Sequence, residues 1–128
     1  MVKLICFDMD GVFLKERNFW MELHRVFGTE EKGKEYTEKY LHSGYDILVQ
    51  KVVQELWKGK DATPYYELIK TAEHIPGGKK TVDWVKSQGY ITAIISASAL
   101  DVARYVSEQV GGIDYLFAND LIIEIFCS

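Results

Sequence analysis

A chain of 128 residues, 48% hydrophobic and 27% charged, has the balance of an ordinary soluble domain and room for one compact unit, or a core with a small appendage. Its 15 basic and 19 acidic side chains leave a formal charge of −4, so no basic face is expected for a polyanion and nucleic acid is set aside as a main partner. Cys6 and Cys127 form no disulfide framework or metal-ligand spacing, no run reaches the ~20 apolar residues of a membrane span, and the start lacks a secretory pattern; a reducing cytoplasm is expected.

Residues 2–7, Val-Lys-Leu-Ile-Cys-Phe, are apolar at nearly every position and predict a central parallel strand buried on both faces. Asp8-Met9-Asp10-Gly11 stops that run, which sets two carboxylates at the strand's C-terminal end. The period then becomes helical. Phe19, Trp20, Leu23, Val26 and Phe27 share one face, and Gly28 closes the helix. The charged segment 30–39 predicts a second helix. Val49, Val52, Val53, Leu56 and Trp57 mark a third helix ending at Gly59, and Thr63-Pro64 caps a fourth carrying Tyr65, Leu68, Ile69 and Ala72. Their tyrosines and tryptophans fall on stripes and are read as core. His24, His42 and His74 lack ligand spacing and are expected at surfaces or interfaces.

After Pro76 the order is helix 81–88, strand 90–95, helix 100–110 and strand 115–118. That alternation predicts right-handed crossovers and a parallel sheet. The second strand ends in Ser96-Ala97-Ser98, at the sheet edge where open α/β folds bind ligands.

Two carboxylates two residues apart in extended backbone face one volume, so Asp8 and Asp10 together require a cation, and magnesium suits oxygen donors with a phosphate beside them. One acid can attack phosphorus while the other protonates the leaving alcohol and later activates water. Ser96 and the amides after it can hold a phosphate oxygen. The same string can also be a plain turn with the aspartates bonded to backbone. A response-regulator-like receiver gathers similar groups, but does not place four helices directly after its first strand.

Residues 4–12, Leu-Ile-Cys-Phe-Asp-Met-Asp-Gly-Val, resemble the first motif of the haloacid dehalogenase superfamily, and Ile94-Ile95-Ser96 resembles the second. Residues 114–119, Asp-Tyr-Leu-Phe-Ala-Asn, are similar to the third strand of its phosphoserine-phosphatase-like members. The resemblance implies an α/β fold: a Rossmann-like three-layer core with a parallel sheet, from residues 1–14 and 76–128, incomplete here, plus a helical cap of the first type over 15–75. It implies Asp8 as nucleophile and magnesium ligand, and Asp10 as general acid/base and carbonyl ligand. Ser96 becomes a phosphate ligand, with Ala97 and Gly11 beside it.

Departures accompany the likeness. Ala97 and Ser98 stand where phosphoserine phosphatases carry two glycines. Arg17 occupies the place of a substrate-binding glutamate, with Glu16 one position off, so both are substrate-site candidates and phosphoserine specificity is not supported. The third and fourth motifs, a lysine and a Gly-Asp loop, are missing: no lysine follows Lys86, Arg104 is the only later basic residue, and no matching motif surrounds Asp120 or Glu124.

The expected activity is a slow, magnesium-dependent hydrolysis of a small phosphorylated metabolite. The alternative is a shortened relative without efficient chemistry that binds a ligand or serves as an oligomeric structural protein. In the family the first strand is central. Here it is expected at an edge, covered by the apolar tail 121–126 or by a second copy in a homodimer.

Overall fold

A computed structural model describes residues 1–124 of the chain. A short strand β1 (Leu4–Phe7) is followed by helices α1 (Phe19–Val26), α2 (Glu30–Tyr40), α3 (Tyr45–Lys51) and α4 (Thr63–Thr71). Then come α5 (Gly78–Ser87), β2 (Ile91–Ala99), α6 (Leu100–Gln109) and β3 (Tyr115–Asn119). The chain divides into two compact units, one of Met1–Phe19 with Ile69–Ser128, the other Trp20–Leu68.

In the first unit the three strands form a parallel sheet in the order β1-β2-β3. Leu4 pairs with Ile91 and Phe7 with Ile94, while Ala93 pairs with Tyr115 and Ile95 with Phe117. Val82 and Val85 of α5 and Val102, Ala103 and Val106 of α6 are buried, as are Thr92 and Ile94 of β2. Both crossovers advance in the same direction across the sheet, and a right-handed sense puts α5 and α6 on one face. Two layers of the expected three are therefore present among the described residues.

That arrangement corrects the reading of residues 2–7 as buried on both faces. β1 lies at the sheet edge, and its residues alternate between exposed and half-buried. Phe7 packs on Phe13, with ring centroids 5.1 Å apart, whereas Leu4 and Cys6 stay exposed. The edge position itself matches the later expectation for this strand. Residues 121–124 form no strand, and the rest of the tail 121–126 lies outside the described residues.

The start of the sheet is tied by Asp114, whose carboxylate accepts from the amide and hydroxyl of Thr92 at 2.8 and 3.0 Å. The Asp114 amide donates to the same hydroxyl at 3.1 Å. These bonds hold the Asp114 carboxyl below its ordinary range.

In the second unit, the third predicted helix is not uniform. α3 passes at Val52 into a π-helical turn that runs to Trp57, and Lys58 donates to the Val53 carbonyl. Trp57 is buried against Trp20, His24 and Phe27, at centroid distances of 4.7, 4.9 and 5.4 Å. α4 begins at Thr63, one residue earlier than a Thr63 cap would give. Ala62 precedes it and accepts from the Tyr66 amide, while the Asp61 carboxylate accepts from the Thr63 amide and hydroxyl.

His24 also departs from expectation, because it is fully buried and not a surface residue. Its Nδ1 lies 2.9 Å from the Thr29 hydroxyl, which also accepts from Trp57 Nε1 at 3.0 Å. Nε2 is buried without a partner. Burial pulls the imidazole pKa below its ordinary 6.5, against a smaller opposing effect of the ring's hydrogen bonding to the Thr29 backbone. The folded chain therefore binds fewer protons at this ring than the unfolded chain just below pH 6.5. Stability from the neutral ring is complete above that pH and falls as the solution is acidified below it. Thermal melts followed by far-UV circular dichroism should show the melting temperature dropping from pH 7.5 to 5.5, with a shallower slope in His24→Gln. Equal slopes would assign the dependence to other groups.

Candidate active site

Strand β1 stops because Asp8 and Asp10 interrupt its apolar run and Gly11 adopts φ +73°, a left-handed conformation suited to glycine. The chain folds back at once: the amides of Val12, Phe13 and Leu14 all point to the Met9 carbonyl, at 3.0 to 3.2 Å. Met9 is wholly buried and anchors this turn. The Gly11 amide donates to the Glu16 carbonyl at 2.9 Å, which returns the loop to its own start. Arg17 passes so close that a Cβ on Gly11 would sit 3.5 Å from its Cγ.

The two aspartates occupy different environments. Asp8 is exposed, and one carboxylate oxygen accepts from the Met9 amide at 2.7 Å. Asp10 is half-buried; Oδ2 accepts from the Phe19 amide at 3.0 Å, at the start of α1, and Oδ1 is buried without a hydrogen-bond partner. Burial raises the Asp10 carboxyl above its ordinary value, the Phe19 amide opposes this, and the Asp8 and Glu16 charges add to the rise. Glu16 is itself exposed and accepts from the Asn18 amide at 3.0 Å.

The second group lies towards the end of the neighbouring strand. Phe7 pairs with Ile94, so Asp8 directly follows β1, whereas Ser96 lies within β2, three residues before its end at Ala99, and not beyond a strand ending at Ile95 as the sequence predicts. Here β2 becomes irregular between Ile95 and Ala99, and Ser96 Oγ accepts from the Ser98 amide at 3.1 Å. Ala97 is exposed. Ser98 is buried, with a hydroxyl that has no partner.

Asn119 closes β3 and belongs to this end of the sheet, although the sequence alone assigns it no role. Its Nδ2 donates to the Ala97 carbonyl at 2.7 Å and to the Ser98 carbonyl at 3.4 Å, tying the end of β3 to the irregular stretch of β2 that carries Ser96. The available signal was its place: a polar residue ending the third strand at the edge that already held Asp8 and Ser96. Asp120 is exposed one residue further on.

No group of three or more histidine, cysteine or acidic side chains able to hold a metal occurs among the described residues. The strand-end turn nonetheless offers oxygen donors alone, and the unpartnered Asp10 Oδ1 needs a proton or another partner. That chemistry fits a hard cation better than a soft one. No helix among the described residues is long and apolar enough to cross a membrane.

Comparison with known proteins agrees with this layout. The family described as "Hydrolase: haloacid dehalogenase-like hydrolase" matches residues 2–126. The chain is 29% identical over 124 residues to phosphoserine phosphatase of Methanocaldococcus jannaschii, covering 95% of this chain and 57% of that protein. A solved structure described as a phospho-aspartyl intermediate analogue of phosphoserine phosphatase superposes with a TM-score of 0.76 at 28% identity, over 96% of this chain and 58% of the other. A HAD family hydrolase from Salmonella enterica serovar Typhi shares the fold at a TM-score of 0.78 and 22% identity, over 95% of this chain and 42% of that one. The chain thus spans less than two thirds of the length of these relatives.

Proposed function

Because the chain belongs to the haloacid dehalogenase-like hydrolase family, we propose that it carries the phosphoryl-transfer half of a phosphomonoester hydrolase, with Asp8 as nucleophile. The observation that supports this reading best is the pairing of β1 with β2, with Asp8 and Asp10 in one tight turn after β1 and Ser96 in the irregular last stretch of β2. An Asp8 oxygen forms a bond to phosphorus as the ester P–O bond breaks, and the leaving alkoxide takes a proton from Asp10. Water then attacks the aspartyl-phosphate, giving its proton to Asp10 and releasing phosphate. Ser96, with the Ala97 and Gly11 backbone, is assigned to the phosphate oxygens. Glu16 and Arg17, at the mouth of the turn, are assigned to the substrate's remaining part.

Magnesium would be held by the Asp8 carboxylate and the Asp10 carbonyl, and would supply charge neutralisation around the transferring phosphoryl group. Residues 15–75 are assigned as the cap, the compartment as the cytoplasm, and the substrate as a small phosphorylated metabolite. The other reading is a binding protein without efficient chemistry.

The test is covalent labelling. Incubation with radiolabelled acetyl phosphate and magnesium, quenched in acid, should leave label on the protein that hydroxylamine removes, as an acyl phosphate requires. Asp8→Asn should carry none. Label that survives in Asp8→Asn would sink the nucleophile assignment, and no label with either protein would favour the binding-protein reading.

A further inference from the structure

Among the described residues, nothing covers the face of the sheet opposite α5 and α6. Val2, Leu4 and Cys6 on the β1 side, Ile91, Ala93 and Ile95 on β2, and Tyr115 and Phe117 on β3 line one shallow groove there. Leu4 and Ile95 are each 54% exposed, Tyr115 56% and Phe117 58%. No charged side chain lies among the eight. Their exposed fractions amount to on the order of 600 Å² of apolar surface, the upper end of what a lone monomer shows and near the ~800 Å² per partner of a standard interface. Parallel sheets are ordinarily covered on both faces, because their backbone and alternating side chains suit a buried layer.

We propose that this face pairs with the same face of a second copy of the chain, forming a symmetric dimer. Nothing in this inference depends on the catalytic reading. Three features favour a second copy. The area approaches what a stable dimer needs. The face brings no like charges into opposition, so self-pairing carries no electrostatic penalty at its centre. Its relief is also self-complementary: Cys6 and Ala93 pair side by side as small residues, and Tyr115 and Phe117 stand as an aromatic ridge on β3. A two-fold axis along the strands sets β3 of each copy over β1 of the other. Each aromatic ridge then rests above the partner copy's Leu4 and Cys6, in the interdigitated manner of sheets packed face to face.

The geometry can be read with cysteines. In a Cys127→Ser background, the chain at tens of micromolar should sediment as a dimer, and Leu4→Asp or Phe117→Asp should shift it to monomer with an unchanged far-UV circular dichroism spectrum. Phe117→Cys in the same background should be joined between copies to native Cys6 by a short bis-maleimide that spans the ~10 Å between packed sheets, seen as doubled mass on a denaturing gel. A link within one copy, across two strands, leaves the mass unchanged. The background chain, with Cys6 alone, should remain uncrosslinked, because the two β1 strands lie on opposite sides of the axis. A monomeric parent chain overturns the proposal, whether or not another polypeptide can be shown to cover the face. So does a dimer that survives both aspartate substitutions, or a crosslink confined to Cys6 with Cys6. Should an aspartate variant unfold, the Phe117→Cys crosslink decides alone.

Discussion

The 128-residue chain is expected to release phosphate from phosphomonoesters in magnesium at least ~10²–10³-fold more slowly than phosphoserine phosphatase of Methanocaldococcus jannaschii, the scale of losing one preorganised charge contact. Asp8→Asn should remove what remains. Phosphoryl transfer by this chemistry depends on positioning and on neutralising charge as it spreads over the equatorial oxygens. Asp8 and Asp10 supply the attacking oxygen and the proton transfer. The cation beside the phosphoryl group has no evident source: no lysine follows Lys86, and Arg104 on α6 pairs with Asp101 at 3.3 Å. Losses within one catalytic unit do not add, so the single-contact figure is a lower bound. Steady-state phosphate release on a panel of esters, with both proteins at equal concentration, measures the ratio. Brisk turnover abolished by Asp8→Asn would mean that Arg104, Asp120, Glu124 or a second subunit supplies the missing groups.

How far the chain could be read from its residues depended on what each segment buries. β1 and β2 announce themselves because apolar runs end abruptly in Asp8 and Ser96, and the candidate site is made of those two interruptions. Helices α1 and α4 are legible because Phe19, Leu23, Tyr65 and Ile69 recur at helical spacing and are buried. The burial of β1 was misjudged for a physical reason: an apolar run shows that a strand suits two covered faces, but not that both layers are present. Only Val2, Leu4 and Cys6 could have signalled a bare face, and their types are those of a covered one. His24 was misplaced for the opposite reason, since a histidine among helical charges carries no mark of the Thr29 and Trp57 groups that accommodate it. Asn119 was unassigned because its partners are main-chain carbonyls, which no side-chain pattern displays.

The segment that sequence described least, α2, sets up the largest expected effect on stability. Gly33 is its buried residue, and a Cβ built there would lie 2.7 Å from three ring atoms of His24. Two terms oppose one another in Gly33→Ala. Within a helix, alanine is favoured over glycine by about 1 kcal/mol. Against that, real Cβ atoms do not approach ring carbons so closely, so either the imidazole or α2 must move. The ring is held by the Thr29 hydroxyl and tilted against Trp57, in a fully buried position. Overpacking a site of this kind typically costs about 1–3 kcal/mol, so the clash outweighs the propensity gain and the helical unit loses stability. Chemical denaturation of Gly33→Ala should show the loss as a lower midpoint at unchanged slope. Gly33→Ala combined with His24→Ala should recover much of the difference, because removing the ring removes the obstacle and leaves the propensity gain. An additive double variant would place the cost elsewhere than in this contact. A recovery would identify the close approach of α1 and α2 as the reason that a glycine stands inside a helix whose other residues, Thr37 aside, are charged or aromatic.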